Sequence, residues 1–215
     1  FFSNNEAVKN FYADKGKIRF VGVDVQKDTL YAVACEFTEG GDHALIDWAH
    51  VMEWDDIETL ANRVQAAQIF IDYGYERRQI EVLRECATRG AGWIPCKGFD
   101  TKTLSMPFKK THLDPFEGTG RQGEGSVSTY SWMTDNIKMI ALSCLRGDSP
   151  KKLIVYDNPE AQLVNQLTSE ERLEGVWKIK SGHQNHLFDC YVLCLLAAVI
   201  CNIYRTGYIS DDTEG

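Results

Sequence analysis

Three aspartates stand at the ends of apolar segments that the sequence predicts to be buried. Asp24 ends a run of apolar residues that begins at Ile18, and Asp72 ends the short run that begins at Ile69. Asp189 precedes the most apolar stretch of the chain. An unpaired buried charge is costly, so carboxylates in these positions need a partner. Divalent cations such as Mg²⁺ and Mn²⁺ prefer oxygen ligands, and the three aspartates are therefore interpreted as a metal site.

The chemistry open to such a site is phosphodiester hydrolysis. Clustered carboxylates repel one another and raise each other's pKa values. Two divalent ions about 3.5–4 Å apart remove that repulsion, activate a water molecule and stabilise the leaving oxygen. Each aspartate also has a structural interpretation, because Asp24 and Asp72 suit strand-end turns and Asp189 suits a helix cap. Asp28, four residues after Asp24, is interpreted as a solvated turn residue.

The elements predicted around these aspartates form an α/β fold with a mixed sheet flanked by helices. Three strands make an antiparallel meander, and two more follow as parallel crossovers, over residues 18–25, 30–37, 43–51, 69–72 and 93–96. One helix begins near Trp54, with Asp55 or Asp56 as its N-cap, and a second covers 76–89. The residues of the second helix predicted to face inward are Ile80, Leu83 and Ala87. Strand ends of such sheets collect catalytic groups, so Asp24 and Asp72 are expected to meet there.

Glycine and proline are frequent between residues 97 and 126, which predicts a flexible basic insertion. Residues 97–121 carry a net charge of +2, although the whole chain carries −8. Basic residues beside an acidic centre are candidates for contacts with DNA phosphates. The candidate DNA-binding residues are Lys97, Lys102, Lys109, Lys110, Arg121 and Lys138. The later elements predicted are helices over 135–145, 160–167 and 185–204 and strands over 152–156 and 176–179.

Composition is that of one globular domain of 215 residues, 44% hydrophobic and 25% charged. The predicted organisation is a linker over 1–16, a domain over 17–205 that contains the insertion, and a tail over 206–215. No apolar run reaches the roughly 18 residues that a membrane span needs. The seven cysteines include no Cys-x-x-Cys pair, which predicts free thiols in a reducing cytoplasm.

With these residues the chain resembles the nuclease domain of tailed-phage terminase large subunits, in particular the lambda-like branch. The resemblance spans roughly residues 17–204 and rests on Gly22–Gln26, Ile71–Tyr75, Lys97–Gly98, Asn136–Lys138, Asn185–Tyr191 and Leu196–Ala198. It implies an RNase H-like fold and a metal-dependent endonuclease that cuts concatemeric double-stranded DNA during genome packaging. It also implies that Asp24, Asp72 and Asp189 are both the catalytic residues and the ligands of Mg²⁺ or Mn²⁺.

The same resemblance implies partners and a setting. These are a terminase small subunit, a portal, an ATPase domain that normally lies N-terminal to this region, and the cytoplasm of an infected bacterium. No Gly-x-x-x-x-Gly-Lys-Ser/Thr loop occurs in the sequence, so the chain is expected to be the nuclease portion alone. His186 stands where the lambda-like pattern often has an acid, and it is interpreted as a helix-start residue rather than a substrate-side group.

Three alternative functions stay open from the residues. The first is a resolvase- or transposase-type nuclease of the same fold. The second is a fragment of an actin-like or sugar-kinase ATPase, although Val25 and Gln26 follow Asp24 where that family has small phosphate-holding residues. The third is a DNA-binding assembly module without catalytic activity.

Overall fold

The computed structural model describes residues 16–99, 107–117 and 125–204. Eight strands within these ranges form one mixed sheet. In chain order they are β1 (Lys17–Val25), β2 (Leu30–Thr38), β3 (His43–Val51), β4 (Gln68–Asp72), β5 (Trp93–Phe99), β6 (Phe108–Leu113), β7 (Val127–Met133) and β8 (Leu153–Val155). Two further strands, β9 (Glu170–Leu173) and β10 (Val176–Ile179), form a separate antiparallel hairpin. The strand order of the sheet is β6-β7-β5-β4-β1-β2-β3-β8.

Helices cover both faces of this sheet. They are α1 (Trp54–Val64), α2 (Gln79–Arg89), α3 (Thr134–Arg146), α4 (Ala161–Leu167) and α5 (His186–Ile200), with a short 3₁₀ turn over Glu76–Arg78. One apolar cluster joins the sheet to α1 and α2, and a second joins its other face to α3, α4 and α5. The protein is therefore a three-layer α/β structure whose sheet is buried on both faces.

The central five strands have the predicted topology. Strands β1, β2 and β3 pair antiparallel, and the backbone N–H of Gln26 donates to the carbonyl of Thr29 at 3.0 Å to close the first hairpin. Strand β4 then pairs parallel with β1, and β5 pairs parallel with β4. Helices α1 and α2 make the connections that these parallel pairs require. The arrangement β3-β2-β1-β4-β5 is RNase H-like, so the predicted fold class is confirmed.

Helix α5 is the apolar centre of the molecule, with thirteen of its fifteen residues buried. It packs directly on β1, and Gly22 is what permits this approach. A Cβ atom at Gly22 would lie 2.0 Å from the carbonyl oxygen of Cys190 and 2.9 Å from the Cβ of Leu193. The missing side chain therefore sets the distance between the strand that carries Asp24 and the helix that carries Asp189.

Two predictions about the crossover helices were wrong in detail. The N-cap of α1 is Glu53, which makes no side-chain capping bond, rather than Asp55 or Asp56. In α2 the side chain of Ile80 is 53% exposed. The buried residues of α2 are Val82, Leu83 and Cys86. Leu83 is buried as predicted, whereas Ile80 lies at the start of the helix, directly after the 3₁₀ turn.

The segment 97–126 is not one continuous loop. Strand β5 extends to Phe99, and β6 pairs antiparallel with β7 at the edge of the sheet. Neither β7 nor β9 was predicted, because the hydroxyl residues of β7 and the charged residues of β9 hide the strand pattern. Residues 100–106 and 118–124 of the predicted insertion lie outside the described residues, as do the predicted tail and all of the predicted linker except Gly16.

The closing helix, predicted over 185–204, ends at Ile200. All seven cysteines are free, as predicted, and six of them are buried. In the part of the chain that the structure describes, no helix is long and apolar enough to span a bilayer.

Candidate active site

The structure brings the three aspartates to one end of the sheet. Val23 of β1 is paired with Ile71 of β4 in a parallel register, so Asp24 and Asp72 follow at the same step of neighbouring strands. Asp189 lies in the first turn of α5, which packs on β1. Asp189 is followed by Cys190, whose sulfur accepts the backbone N–H of Asp24 at 3.2 Å. Sequence positions more than 160 residues apart thus meet at one place.

Asp24 is the most enclosed of the three, with 4% of its surface exposed. Its Oδ2 atom accepts two hydrogen bonds, one from Nδ1 of His186 and one from Nε2 of Gln26, both at 2.8 Å. His186 is the first residue of α5, and Gln26 follows the end of β1. The Asp24 carboxylate is therefore held between its own strand and the start of the helix.

The Asp72 carboxylate is close enough to Asp24 for the negative charge of Asp24 to affect its pKa. Burial raises the pKa of Asp72 and the charge of the neighbouring Asp24 adds to the rise, so that the pKa reaches about 6. The backbone N–H of Gly74 donates to Oδ1 of Asp72 at 2.9 Å, and this hydrogen bond lowers the pKa of Asp72. The charges of Lys97 and Lys138 also favour the ionised form of Asp72. Both lysines are therefore within electrostatic reach of the site.

Asp189 is partly buried and lies against a lysine. Its Oδ1 atom lies 2.8 Å from Nζ of Lys138, and its Oδ2 atom accepts a bond from Nδ2 of Asn185 at 2.6 Å. Burial raises the pKa of Asp189, Lys138 opposes the rise, and the charges of Asp24 and Glu170 add to it. Asp24 thus raises the pKa of both of the other aspartates, as expected of carboxylates that share one pocket.

Glu170 is a fourth carboxylate at this site, and the sequence did not indicate it. Its two oxygens lie 2.7 and 2.9 Å from Nζ of Lys138, and Oε1 also accepts Nδ2 of Asn185 at 2.5 Å. The side chains of Glu170 and Lys138 are only 3% and 11% exposed. Burial lowers the pKa of Lys138, but the charges of Asp189 and Glu170 outweigh that effect and raise it. A glutamate within a run of polar residues gives no signal of such burial.

The donor atoms of Asp24, Asp72 and Asp189 are hard oxygens, which fits Mg²⁺ or Mn²⁺. The raised pKa values of Asp72 and Asp189 also fit a place where a cation would offset negative charge. Among residues 16–99, 107–117 and 125–204, however, no three His, Cys, Asp or Glu side chains are grouped closely enough to hold one ion. A cation bound by all three aspartates would therefore require side-chain rotation, including release of Asp189 from Lys138.

The candidate DNA-binding residues are not equivalent in the structure. Lys97 lies on β5, and Lys109 and Lys110 lie on the edge strand β6 with exposed side chains. Lys138 faces Glu170 and Asp189 inside the protein, so a DNA contact by this residue stays a prediction. The other two candidates, Lys102 and Arg121, lie outside the described residues.

Lys110 belongs to the face of the sheet that carries Asp72. Register pairs connect Lys110 to Tyr130, Tyr130 to Cys96, and Cys96 to Asp72. Cross-strand partners share a face, and Nζ of Lys110 lies 6.0 Å from the ring centroid of Tyr130. Lys109 alternates to the opposite face. Three strand spacings of about 4.8 Å separate Lys110 from Asp72, or about 14 Å.

His186 begins helix α5, as predicted, but it also contacts the site. Its ring stacks on Tyr31 with a centroid separation of 4.5 Å, and Tyr31 stacks on His50 at 4.1 Å. Asp28 is 70% exposed and lies 3.6 Å from Lys27, as expected for a solvated turn residue.

Comparisons with known proteins point to one group. The model of the family described as "Terminase large subunit gpA, endonuclease domain" matches residues 54–207. A comparison with curated proteins gives no match. Among solved structures, the nuclease domain of the large terminase subunit gp2 of bacterial virus Sf6 is 12% identical, with 88% of this chain and 94% of that chain covered and a TM-score of 0.43.

Two structures of a point variant of that Sf6 domain are also similar to this chain. The one with manganese is 13% identical and covers 88% of this chain and 95% of its own, with a TM-score of 0.44. The one with manganese and beta-thujaplicinol is 11% identical and covers 88% of this chain and 93% of its own, again with a TM-score of 0.44.

Proposed function

We propose, from the premise that this chain belongs to the gpA endonuclease-domain family of terminase large subunits, that it cuts concatemeric double-stranded DNA during viral genome packaging. The cleavage would depend on Mg²⁺ or Mn²⁺, with two ions at the site. Partners proposed with this function are a terminase small subunit, a portal and a packaging ATPase domain. The setting would be the cytoplasm of an infected bacterium.

The observation that carries this proposal is the convergence of three acids on one sheet end. Asp24 and Asp72 follow paired positions of parallel strands, and Asp189 lies in the first turn of the helix that packs on them. Burial raises the pKa values of Asp72 and Asp189, and the negative charge of Asp24 adds to the rise. Such an arrangement is unfavourable by itself, because like charges repel and buried carboxylates lose hydration. A divalent ion would offset both costs.

Each residue has a role in this proposal. Asp24, Asp72 and Asp189 would hold the ions, which supply charge neutralisation and Lewis acidity at the scissile phosphate. The bond from Gly74 orients the Asp72 carboxylate. Lys138 keeps Asp189 paired before an ion arrives. The chain itself would therefore position acceptor oxygens, and no nucleophilic side chain is needed.

DNA would approach across the β5, β7 and β6 side of the sheet. Lys110 lies about 14 Å from Asp72 on the same face, which suits contact with a phosphate away from the cleavage point. Phosphate contacts by lysine position DNA without reading its sequence. Lys97, whose charge acts on Asp72, would add a second phosphate contact near the end of β5.

The decisive experiment incubates plasmid DNA with the protein in Mn²⁺, Mg²⁺ or EDTA. We expect cleavage with either metal and none with EDTA. Asp24→Asn and Asp72→Asn should each reduce the cleavage rate by at least ~100-fold, because each removes a charged metal ligand. Asp56→Asn is the matched control, because Asp56 is an exposed carboxylate in the first turn of α1.

Circular dichroism of every variant would show whether its fold is retained. Cleavage that persists in EDTA, or full activity of folded Asp24→Asn, contradicts the mechanism. Metal-independent DNA binding without any cleavage by the wild-type protein would favour the DNA-binding assembly module instead.

A further inference from the structure

The two side chains that contact the Asp24 carboxylate use the same oxygen. Nδ1 of His186 and Nε2 of Gln26 each lie 2.8 Å from Oδ2. In the part of the chain that the structure describes, no hydrogen-bond donor is placed on Oδ1. Oδ2 of Asp24 thus accepts two hydrogen bonds, whereas Oδ1 is available to bind a cation.

We propose that His186 and Gln26 are positioning residues that fix the rotamer of Asp24, so that Oδ1 is presented to the divalent ion. This inference rests on the proposed function of the site. It assigns a role to the two residues whose side chains contact the Asp24 carboxylate. Gln26 closes the Gly22–Gln26 stretch, and His186 replaces the acid of the lambda-like pattern.

The His186 ring is itself held in place. One of its faces stacks on Tyr31 at 4.5 Å, and Tyr31 is 6% exposed and stacks in turn on His50. The backbone around the bond is equally restrained, because the Asp24 N–H donates to the sulfur of Cys190 in the same helix turn. A donor fixed in this way can fix its acceptor, which is what preorganisation of a metal ligand requires.

The active atom of His186 in this role is Nδ1. A carboxylate oxygen only accepts hydrogen bonds, so Nδ1 donates to Oδ2 of Asp24. Asparagine places its side-chain amide nitrogen close to the position of Nδ1, whereas glutamine places its amide nitrogen close to that of Nε2. The pair His186→Asn and His186→Gln therefore separates a positioning role from a direct contact with metal or DNA through Nε2.

The test measures Mn²⁺ affinity without DNA, from the electron paramagnetic resonance signal of free Mn²⁺ in titrations of the purified domain. Loss of a residue that orients a metal ligand typically weakens binding 10–100-fold. We expect a weakening of about this size for His186→Gln, His186→Ala and Gln26→Leu. We expect His186→Asn to remain within about threefold of the wild type. Thermal unfolding in EDTA would confirm that each variant is folded.

The outcomes separate this inference from the proposed function. Wild-type Mn²⁺ affinity in folded His186→Gln overturns the positioning role, even if metal-dependent cleavage is intact. Equal loss in His186→Asn and His186→Ala also overturns it, because the amide donor then fails to substitute for Nδ1. A wild-type protein that neither binds Mn²⁺ nor cleaves DNA overturns the proposed function and this inference together.

Discussion

Lys138→Met is expected to destabilise the metal-free domain by about 3–5 kcal/mol, the usual cost of removing one partner of a buried ion pair. The Lys138 ammonium lies 2.7 and 2.9 Å from the oxygens of Glu170, whose side chain is 3% exposed. The same ammonium lies 2.8 Å from Asp189. Methionine keeps an unbranched apolar side chain of similar length but supplies no charge. Glu170 would then be buried without its cation.

The assay is thermal and urea unfolding at pH 7 in EDTA, followed by circular dichroism. For a domain of this size, 1 kcal/mol lowers the Tm by roughly 2–4 °C, so a fall of roughly 6–20 °C is expected. Lys178→Met is the matched control, because Lys178 is exposed on β10. A substitution at such a surface position should change stability by less than about 0.5 kcal/mol.

A second variant separates the charge effect from packing. Lys138→Met combined with Glu170→Gln removes the buried charge together with its partner, and the glutamine can still hydrogen-bond to Asn185. The double variant should recover at least half of the lost stability. The reasoning is refuted if Lys138→Met lies within about 1 kcal/mol of the wild type, or if the double variant is no more stable than the single one.

Three further predictions follow from the geometry. Gly22→Ala should lower the free energy of unfolding by about 1–3 kcal/mol, measured in urea, because the added Cβ would clash with the Cys190 carbonyl. Gly40→Ala is the control and should cost little, because no neighbour lies nearer than 3.9 Å to its added Cβ. Equal stability of the two variants would contradict this reasoning. Because the pKa of Asp72 is raised to about 6 in the folded state, its contribution to stability is present below about pH 4 and lost as the pH rises through 6. Unfolding in EDTA should show this loss, and Mn²⁺ should reverse it. Asp72→Asn should show a smaller loss than the wild type, because the raised pKa of Asp189 still contributes in the same direction. Lys110→Ala should weaken DNA binding and reduce, by about 1, the slope of the logarithm of the binding constant against the logarithm of salt concentration. Lys109→Ala, on the other face, should have a smaller effect. Equal effects of the two variants would argue against the proposed DNA path.

Much of the fold could be read from local patterns. The strands over 18–25, 30–37 and 43–51 were predicted within one residue of β1, β2 and β3, because alternating and β-branched residues encode strands over short distances. The short strand that ends at Asp72 was recognised by its continuous apolar run. The inward face of a helix was less secure, as Ile80 shows, because which apolar residues meet the sheet depends on how the helix packs in the folded chain.

The candidate site was predicted only in part. Asp24, Asp72 and Asp189 can be recognised as candidate site residues from the sequence, because carboxylates are rare beside apolar runs and that signal is local. The pairing of Lys138 with Glu170 had no such signal, because a lysine on a helix and a glutamate in a polar run both resemble surface residues. The assignment of Lys138 to DNA contact came from its charge alone.

Residue types and their local spacing were thus sufficient to indicate the order of the elements and the three acids at their ends. The folded chain decided which donors reach those acids, since His186 meets Asp24 across 162 positions and Lys138 meets Glu170 across 32. It also decided that Lys110 rather than Lys109 shares the face of Asp72, through pairing of β6 with β7. Such contacts depend on how closely α5 can approach β1 at Gly22 and on sheet register, and both are set by the packing of the whole core rather than by neighbours in sequence.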